Sequence, residues 1–192
     1  IRMVTSGVWR PVTLTLFDVA TIDDYHVEQL VLTDEVAAIS NRLEVNGIIA
    51  KPINVTVEIS YSVNNRSEQT VSRDIELQPG RNQVEIPLEI LKPERWMPNG
   101  WGKPTLYNFT ARIISDSQIV AEETKRIGLR TVKVVNETDA HGESFYFEVN
   151  GIPMFAKGAN YIPSDAMLPA VTAERYNKLF RDIKEANMNM IR

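Results

Sequence analysis

The sequence predicts a mainly β protein, an antiparallel β-sandwich followed by one strand–helix–strand piece of an α/β barrel. Three observations predict it. Apolar and polar residues alternate in about seven short runs between Ile22 and Gly128, the period-2 signature of half-buried strands. Near the far end Tyr176, Leu179, Phe180 and Ile183 fall at i, i+3, i+4 and i+7, one apolar stripe on a helix. Short apolar runs at 154–158 and 188–192 flank that helix, and strands joined through a helix pair in parallel.

In chain order, Val12, Leu14 and Leu16 alternate with Thr13 and Thr15 and predict a strand, the isolated tail of a preceding β domain. Val27, Gln29 and Val31 alternate with Glu28, Leu30 and Leu32, and a second run covers 37–45. Asn46-Gly47 is a turn signal. The longest alternation is Ile53, Val55, Val57, Ile59, Tyr61 and Val63, closed by Asn64-Asn65. Runs at 71–77, 84–88, 106–114 and 119–127 follow, with Gln78-Pro79-Gly80 as a turn. Seven short strands over roughly 100 residues describe an immunoglobulin-like sandwich, here without a Cys–Trp–Cys triad. Val55, Val57 and Ile59, or their alternates, should be buried.

Residues 131–135 and 145–149 predict a hairpin around a polar loop with His141-Gly142. Asn150-Gly151-Ile152-Pro153 is a turn, and 154–158 a short strand after it. Thr172 is the expected N-cap of the helix, with Glu174 in its first turn, where the helix dipole favours an anion. Asn187 can end it in the left-handed conformation. The stripe is read as packing. A parallel pair needs further strands and helices on its faces, so the chain is expected to be a piece of a larger enzyme.

Composition narrows the function. A hydrophobic content of 43% and a charged content of 24% are ordinary for a globular protein. The net charge of −4 and pI near 5.3 argue against nucleic acid as a partner. No apolar run approaches the roughly 18 residues of a membrane span. With no cysteine, disulfides, thiolate metal sites and a Cys nucleophile are excluded. His26 and His141, far apart in sequence, are read as solvated, so no metal and no cofactor are expected. The first residue is Ile1, and any targeting signal is expected upstream.

Four segments, in order, resemble glycoside hydrolase family 2, and within it the β-mannosidase branch. Ser6-Gly7-Val8-Trp9-Arg10-Pro11-Val12 is similar to the motif that closes the family's jelly-roll domain. Trp96-Met97-Pro98-Asn99-Gly100-Trp101-Gly102, with Pro104, Leu106 and Tyr107, resembles the Trp-Pro-Asn-Gly segment of its immunoglobulin-like domain. Arg126-Ile127-Gly128-Leu129-Arg130 resembles the link into the TIM (β/α)8 barrel. Phe147-Glu148-Val149-Asn150-Gly151, Lys157-Gly158-Ala159-Asn160-Tyr161-Ile162-Pro163 and Asn187-Met188-Asn189-Met190-Ile191-Arg192 resemble the barrel's start. Tyr161-Ile162-Pro163 stands where β-galactoside and β-glucuronide enzymes carry basic and His-rich residues. Tyr161 itself replaces the Trp frequent in β-mannosidases.

The resemblance implies three parts: residues 1–18 as the end of a jelly-roll domain and linker, 19–128 as the sandwich, and 129–192 as a hairpin and the first βαβ piece of a truncated barrel. It implies a retaining exo-acting hydrolase of terminal β-mannosides; the compartment is not read from the sequence, and a periplasmic, secreted or lysosomal-type one is compatible with such a parent enzyme. Its partners are a β-linked mannoside or oligosaccharide and the rest of the parent chain. Retaining glycosidases use two carboxylates about 5–5.5 Å apart, and the resemblance places both glutamates beyond Arg192. The segment alone is expected to be inactive. What it offers is a supporting shell, since the C-terminal ends of barrel strands face the active site. Arg192 and Asn160 meet that rule, with Tyr161 and Asp165 on the same loop. By resemblance Arg192 bonds the nucleophilic glutamate.

Trp9, Trp96 and Trp101 are read as packing rather than sugar-stacking residues. The sequons at Asn54 and Asn108 fall within predicted strands and are read as coincidental; those at Asn65 and Asn136 are further acceptor patterns. Two alternatives stand beside the leading reading. One is an exo-β-glucosaminidase or another family 2 specificity. The other is a non-catalytic carbohydrate-binding or adhesion sandwich, which leaves the helix at 172–186 unexplained.

Overall fold

A computed structural model describes residues 7–192 apart from 9 and 65. Trp9 and the acceptor of the Asn65 sequon therefore lie outside the described residues. The described residues form two compact units, one of Leu16–Met97 with Lys103–Thr131, the other of Val132–Arg192 with Pro98–Gly102.

The first unit is an antiparallel sandwich of β1 (Ala20–Leu32), β2 (Val36–Gly47), β3 (Ile53–Val63), β4 (Arg66–Leu77), β5 (Gly80–Leu91), β6 (Tyr107–Ser115) and β7 (Gln118–Ile127). One sheet runs β1-β2-β5 and the other β4-β3-β6-β7. Alternation decides which face of each strand is covered. Val55, Val57 and Ile59 of β3, Phe109, Ala111 and Ile113 of β6, Ile39 and Leu43 of β2, and Ile86 and Leu88 of β5 are all buried in one core. Burying one such aliphatic side chain contributes about 1.5–3 kcal/mol. Tyr61, Tyr107 and Phe109 add a tilted aromatic cluster, with ring centroids 5.8–6.2 Å apart.

Two polar groups enter this core as a chain. The Tyr25 hydroxyl donates to Asn41 Oδ1 at 2.8 Å, and Asn41 Nδ2 donates to the Ile86 carbonyl at 3.1 Å. Asn41 is 0% exposed, so the tyrosine satisfies an acceptor that water cannot reach. Burial pushes the Tyr25 phenol well above its ordinary pKa, which keeps it a donor.

Trp96 packs within the same unit. The Arg130 guanidinium sits 4.8 Å from its ring centroid, and Gly128 approaches so closely that a Cβ there would lie 2.8 Å from the ring. Gln29 holds Arg130 with both ends of its amide, accepting from its N–H at 3.0 Å and donating to its C=O at 3.1 Å. Trp101 is 43% exposed.

Several expectations are corrected. Val12, Leu14 and Leu16 form no strand; they are 83–87% exposed, because alternation supplies a face but no partner strand among the described residues. Asn46-Gly47 is not a turn: both residues stay in β2, with Gly47 opposite Ala20 and Gly80. Glycine is needed there because a Cβ would collide with the Gln78 carbonyl. A two-residue hairpin turn with both residues at positive φ (48° and 64°) falls instead at Asp116-Ser117, between β6 and β7.

In the second unit β8 (Val132–Val135), β9 (Tyr146–Val149) and β10 (Ile152–Met154) form an antiparallel sheet of order β10-β9-β8. Asn150 and Gly151, at φ 54° and 79°, make the turn between β9 and β10. The strand expected at 154–158 is thus divided, since Ile152–Met154 pairs with β9 while Gly158–Ala159, β11, pairs elsewhere. A helix, α1 (Ala173–Glu185), leads to β12 (Met190–Ile191), parallel to β11.

Removing the Tyr25 hydroxyl strands the buried Asn41 acceptor. Tyr25→Phe should therefore destabilise the sandwich by about 1–3 kcal/mol. The check is equilibrium urea unfolding, where the midpoint should fall with the slope unchanged.

Candidate functional site

The short β11/β12 pair organises the site. Arg192 N–H donates to the Ala159 carbonyl at 3.1 Å, and Tyr161 N–H donates to the Arg192 carbonyl at 2.7 Å. In a parallel ladder a residue bonds to the neighbours on either side of its partner. Gly158 faces Met190 and Ala159 faces Ile191, so Asn160 comes next, opposite Arg192. Paired residues project from the same face of the sheet. Asn160 and Arg192 are thus neighbours at the C-terminal ends of two parallel strands. Both side chains are exposed.

Asn189 holds this register. Its Nδ2 donates to the Phe155 carbonyl at 3.0 Å, and its Oδ1 accepts from Lys157 N–H at 2.8 Å. The Lys157 carbonyl in turn accepts from Asn189 N–H at 2.9 Å and Met190 N–H at 3.2 Å. Gly158 permits the close approach, because a Cβ there would meet the Met190 backbone. Sequence reasoning missed Asn189. Its signals were a polar residue inside the apolar run 188–191 and its place in the segment 187–192 that resembles the barrel's start.

The loop between β11 and α1 is tied to itself. The Tyr161 hydroxyl and Ser164 Oγ lie 3.0 Å apart. Asp165 Oδ1 accepts from Met167 N–H at 2.9 Å, and Oδ2 faces Arg175 Nη1 at 3.4 Å. Arg175 Nη2 also donates to the Ser164 carbonyl at 3.3 Å. The Met167 amide, then the Arg175 guanidinium, hold the Asp165 carboxyl below its ordinary pKa. Of the four expected site residues, Asn160 and Arg192 are brought together, while Tyr161 and Asp165 shape the loop that follows.

Helix α1 is capped as its sequence predicts. Thr172 Oγ1 accepts from Arg175 N–H at 3.4 Å. Glu174 is held below its ordinary pKa, mainly by the Thr172 hydroxyl. Asn187 sits at φ 55°; its N–H donates to Lys184 O at 3.0 Å, and Met188 N–H donates to Ile183 O at 3.1 Å. That bond pair closes a helix through a left-handed residue. In this chain the apolar stripe is only partly covered: Leu179 and Ile183 are half-buried, while Tyr176 and Phe180 are 40% and 54% exposed.

Elsewhere a depression on the outer face of β1, β2 and β5 is lined by Asp24, His26, Arg42, Glu44 and Glu85. Arg42 is ion-paired there with Glu28 at 2.8 Å and Glu85 at 3.7 Å, a solvated network of ordinary type. His26 and His141 are exposed. Among the described residues no group of three His, Cys, Asp or Glu is placed to hold a metal. No helix there is long and apolar enough to cross a membrane.

Residues 20–130 match the family described as Glycosyl hydrolases family 2. The chain belongs to that family. Beta-mannosidase B of Aspergillus terreus is 33% identical over 190 residues, covering 99% of this chain and 22% of that protein. Beta-D-mannosidase from Dictyoglomus thermophilum matches in structure with a TM-score of 0.83 at 33% identity, over 91% of this chain and 21% of that one. Bacteroides uniformis beta-glucuronidase, at 20% identity and a TM-score of 0.73, shares the fold. The family 2 chain thus spans about a fifth of the length of the relatives it matches.

The depressed pKa of Asp165 has a pH consequence. Its contribution to loop order is fully present above the carboxyl's unfolded pKa, and is lost as pH falls through the lower folded value. Acidification should therefore speed hydrogen exchange at the Met167 amide, beyond the intrinsic pH effect, as that titration proceeds. Asp165→Asn should abolish the pH-dependent component.

Proposed function

We propose that this chain is the supporting part of a retaining, exo-acting glycosidase that hydrolyses terminal β-mannosides. The observation that carries the proposal is the pairing of Asn160 with Arg192 at the ends of two parallel strands, in a chain of family 2 whose relatives at 33% identity are named β-mannosidases. On this reading residues 1–18 end a preceding domain, 19–128 are the immunoglobulin-like sandwich, and 129–192 open a (β/α)8 barrel. The exposed Phe155, Phe180, Met190 and Ile191 suit that reading, since parallel strands are normally covered on both faces.

The chemistry needs one carboxylic acid to protonate the leaving oxygen and one carboxylate to attack the anomeric carbon. Both belong to the longer chain, outside residues 1–192. The Arg192 guanidinium holds the nucleophile ionised, because a neighbouring cation lowers a carboxylate's pKa. Asn160, beside it, can donate to or accept from a sugar hydroxyl. Tyr161 and Asp165 keep the loop after Asn160 in place. A sandwich that only binds carbohydrate would have no use for this paired strand end.

The test is kinetic, on the intact longer enzyme. It should turn over an aryl β-mannoside faster than the matching β-glucosaminide; the reverse order would assign the glucosaminidase specificity. Residues 1–192 alone should give no turnover above background. Arg192→Ala should lower kcat and kcat/KM together by roughly 30- to 1,000-fold, equivalent to about 2–4 kcal/mol. Arg192→Lys keeps the charge without the planar fork and should recover only part of the rate. The acidic limb of the pH–rate profile should move upward in Arg192→Ala as the nucleophile's pKa rises. Near-normal kcat with an unmoved limb would remove Arg192 from the mechanism.

A further inference from the structure

The Trp-Met-Pro-Asn-Gly segment contains a contact that its sequence does not announce. The chain leaves the first unit at Met97, contributes Pro98–Gly102 to the second, and returns at Lys103. Within the second unit Asn99 Nδ2 donates to the Met188 carbonyl at 3.0 Å and the Lys184 carbonyl at 3.4 Å. Lys184 lies in the last turn of α1, and its carbonyl, which also accepts from Asn187 N–H at 3.0 Å, is one of the helix's final acceptors. Met188 stands at the entrance to β12. One side-chain amide, with two N–H groups, thus holds both the end of the helix and the start of the strand that delivers Arg192.

The spacing gives this contact its leverage. Only Asn189, Met190 and Ile191 separate Met188 from Arg192. Asn189 ties the same stretch laterally to Phe155 and Lys157, and Arg192 closes it against Ala159 and Tyr161. Asn99 therefore fixes where the strand begins, Asn189 fixes its register, and the two together fix where Arg192 stands. The segment is half-exposed at Asn99, and its loop is closed by Trp101 N–H donating to Pro98 O at 3.1 Å.

We infer that Asn99 is a positioning residue for Arg192, acting through the Met188 and Lys184 carbonyls rather than by touching substrate. The inference rests on the glycosidase reading above. Removing the amide frees the start of β12, and a displacement of about 1 Å in a catalytic group can cost up to about 100-fold in rate. An aspartate at the same place would aim a charged acceptor at two carbonyls, which is worse than no donor.

The experiment compares Asn99→Ala, Asn99→Ser and Asn99→Asp in the intact longer enzyme, each alone and with Arg192→Ala, on an aryl β-mannoside. Asn99→Ala should lower kcat by about 5- to 50-fold with KM little changed, and should move the acidic limb of the pH–rate profile in the same direction as Arg192→Ala. Asn99→Asp should be slower still, and Asn99→Ser, which can keep one donor, should recover part of the rate. In the Arg192→Ala background the further loss should be under about twofold, since both changes then act on one group. Wild-type kcat and pH profile in Asn99→Ala would overturn the inference, and so would a loss of equal size with and without Arg192. Should Asn99→Asp fail to fold, the Ala and Ser variants decide alone, with thermal melting read beside the kinetics. Failure of the glycosidase reading looks different, because the wild-type enzyme would itself leave the substrate uncleaved.

Discussion

A residue in a parallel strand bonds to the two residues flanking its partner. Arg192, donating to Ala159 and accepting from Tyr161, is therefore bound to sit opposite Asn160. The placement of the second unit's strand ends depends on that ladder. If the register slipped by one residue, Asn160 and Arg192 would leave their common face, because side chains alternate with a period of two. The molecule invests three separate devices in preventing the slip. Gly158 lets the strands approach, Asn189 bonds across to Phe155 and Lys157, and Asn99 holds Met188 from outside the strand pair.

The two units meet the burial requirement differently. The sandwich covers its apolar faces with its own strands, so that Val57, Ile59, Phe109, Ala111 and Ile113 are fully enclosed. In the second unit Phe155 is 78% exposed and Met190 and Ile191 are each 39% exposed. The two-residue strands β11 and β12, with one helix, cannot enclose a core. On the proposed reading, further strands of the longer chain supply the missing cover, and the same strands bring the two carboxylates.

The sandwich was legible because alternation is a local signal repeated over many residues. Ile53 to Val63 alternates without interruption, and every second residue from Val55 to Val63 is buried. Helix α1 was legible for a similar reason, with Thr172 and Asn187 marking its ends. The same signal misled at Val12, Leu14 and Leu16, where the pattern exists without a partner strand among the described residues. It misled again at Gly47, whose glycine answers to the Gln78 carbonyl and not to a turn. Of the candidate site, Asn160 and Arg192 could be placed by their strand ends and by likeness to a family. Asn99 and Asn189 could not, because their partners lie 89 and 34 residues away and are backbone atoms, which leave no trace in side-chain patterning.

The most direct measurement is to trap the covalent glycosyl-enzyme of the intact longer chain with a 2-deoxy-2-fluoro-β-mannosyl fluoride and determine its structure. The account expects the label on a glutamate outside residues 1–192. It also expects the Arg192 guanidinium at roughly 2.7–2.9 Å from that glutamate's oxygen, the range of a charge-assisted hydrogen bond. A label on any carboxylate within residues 1–192, or Arg192 turned away from the labelled glutamate, would contradict it.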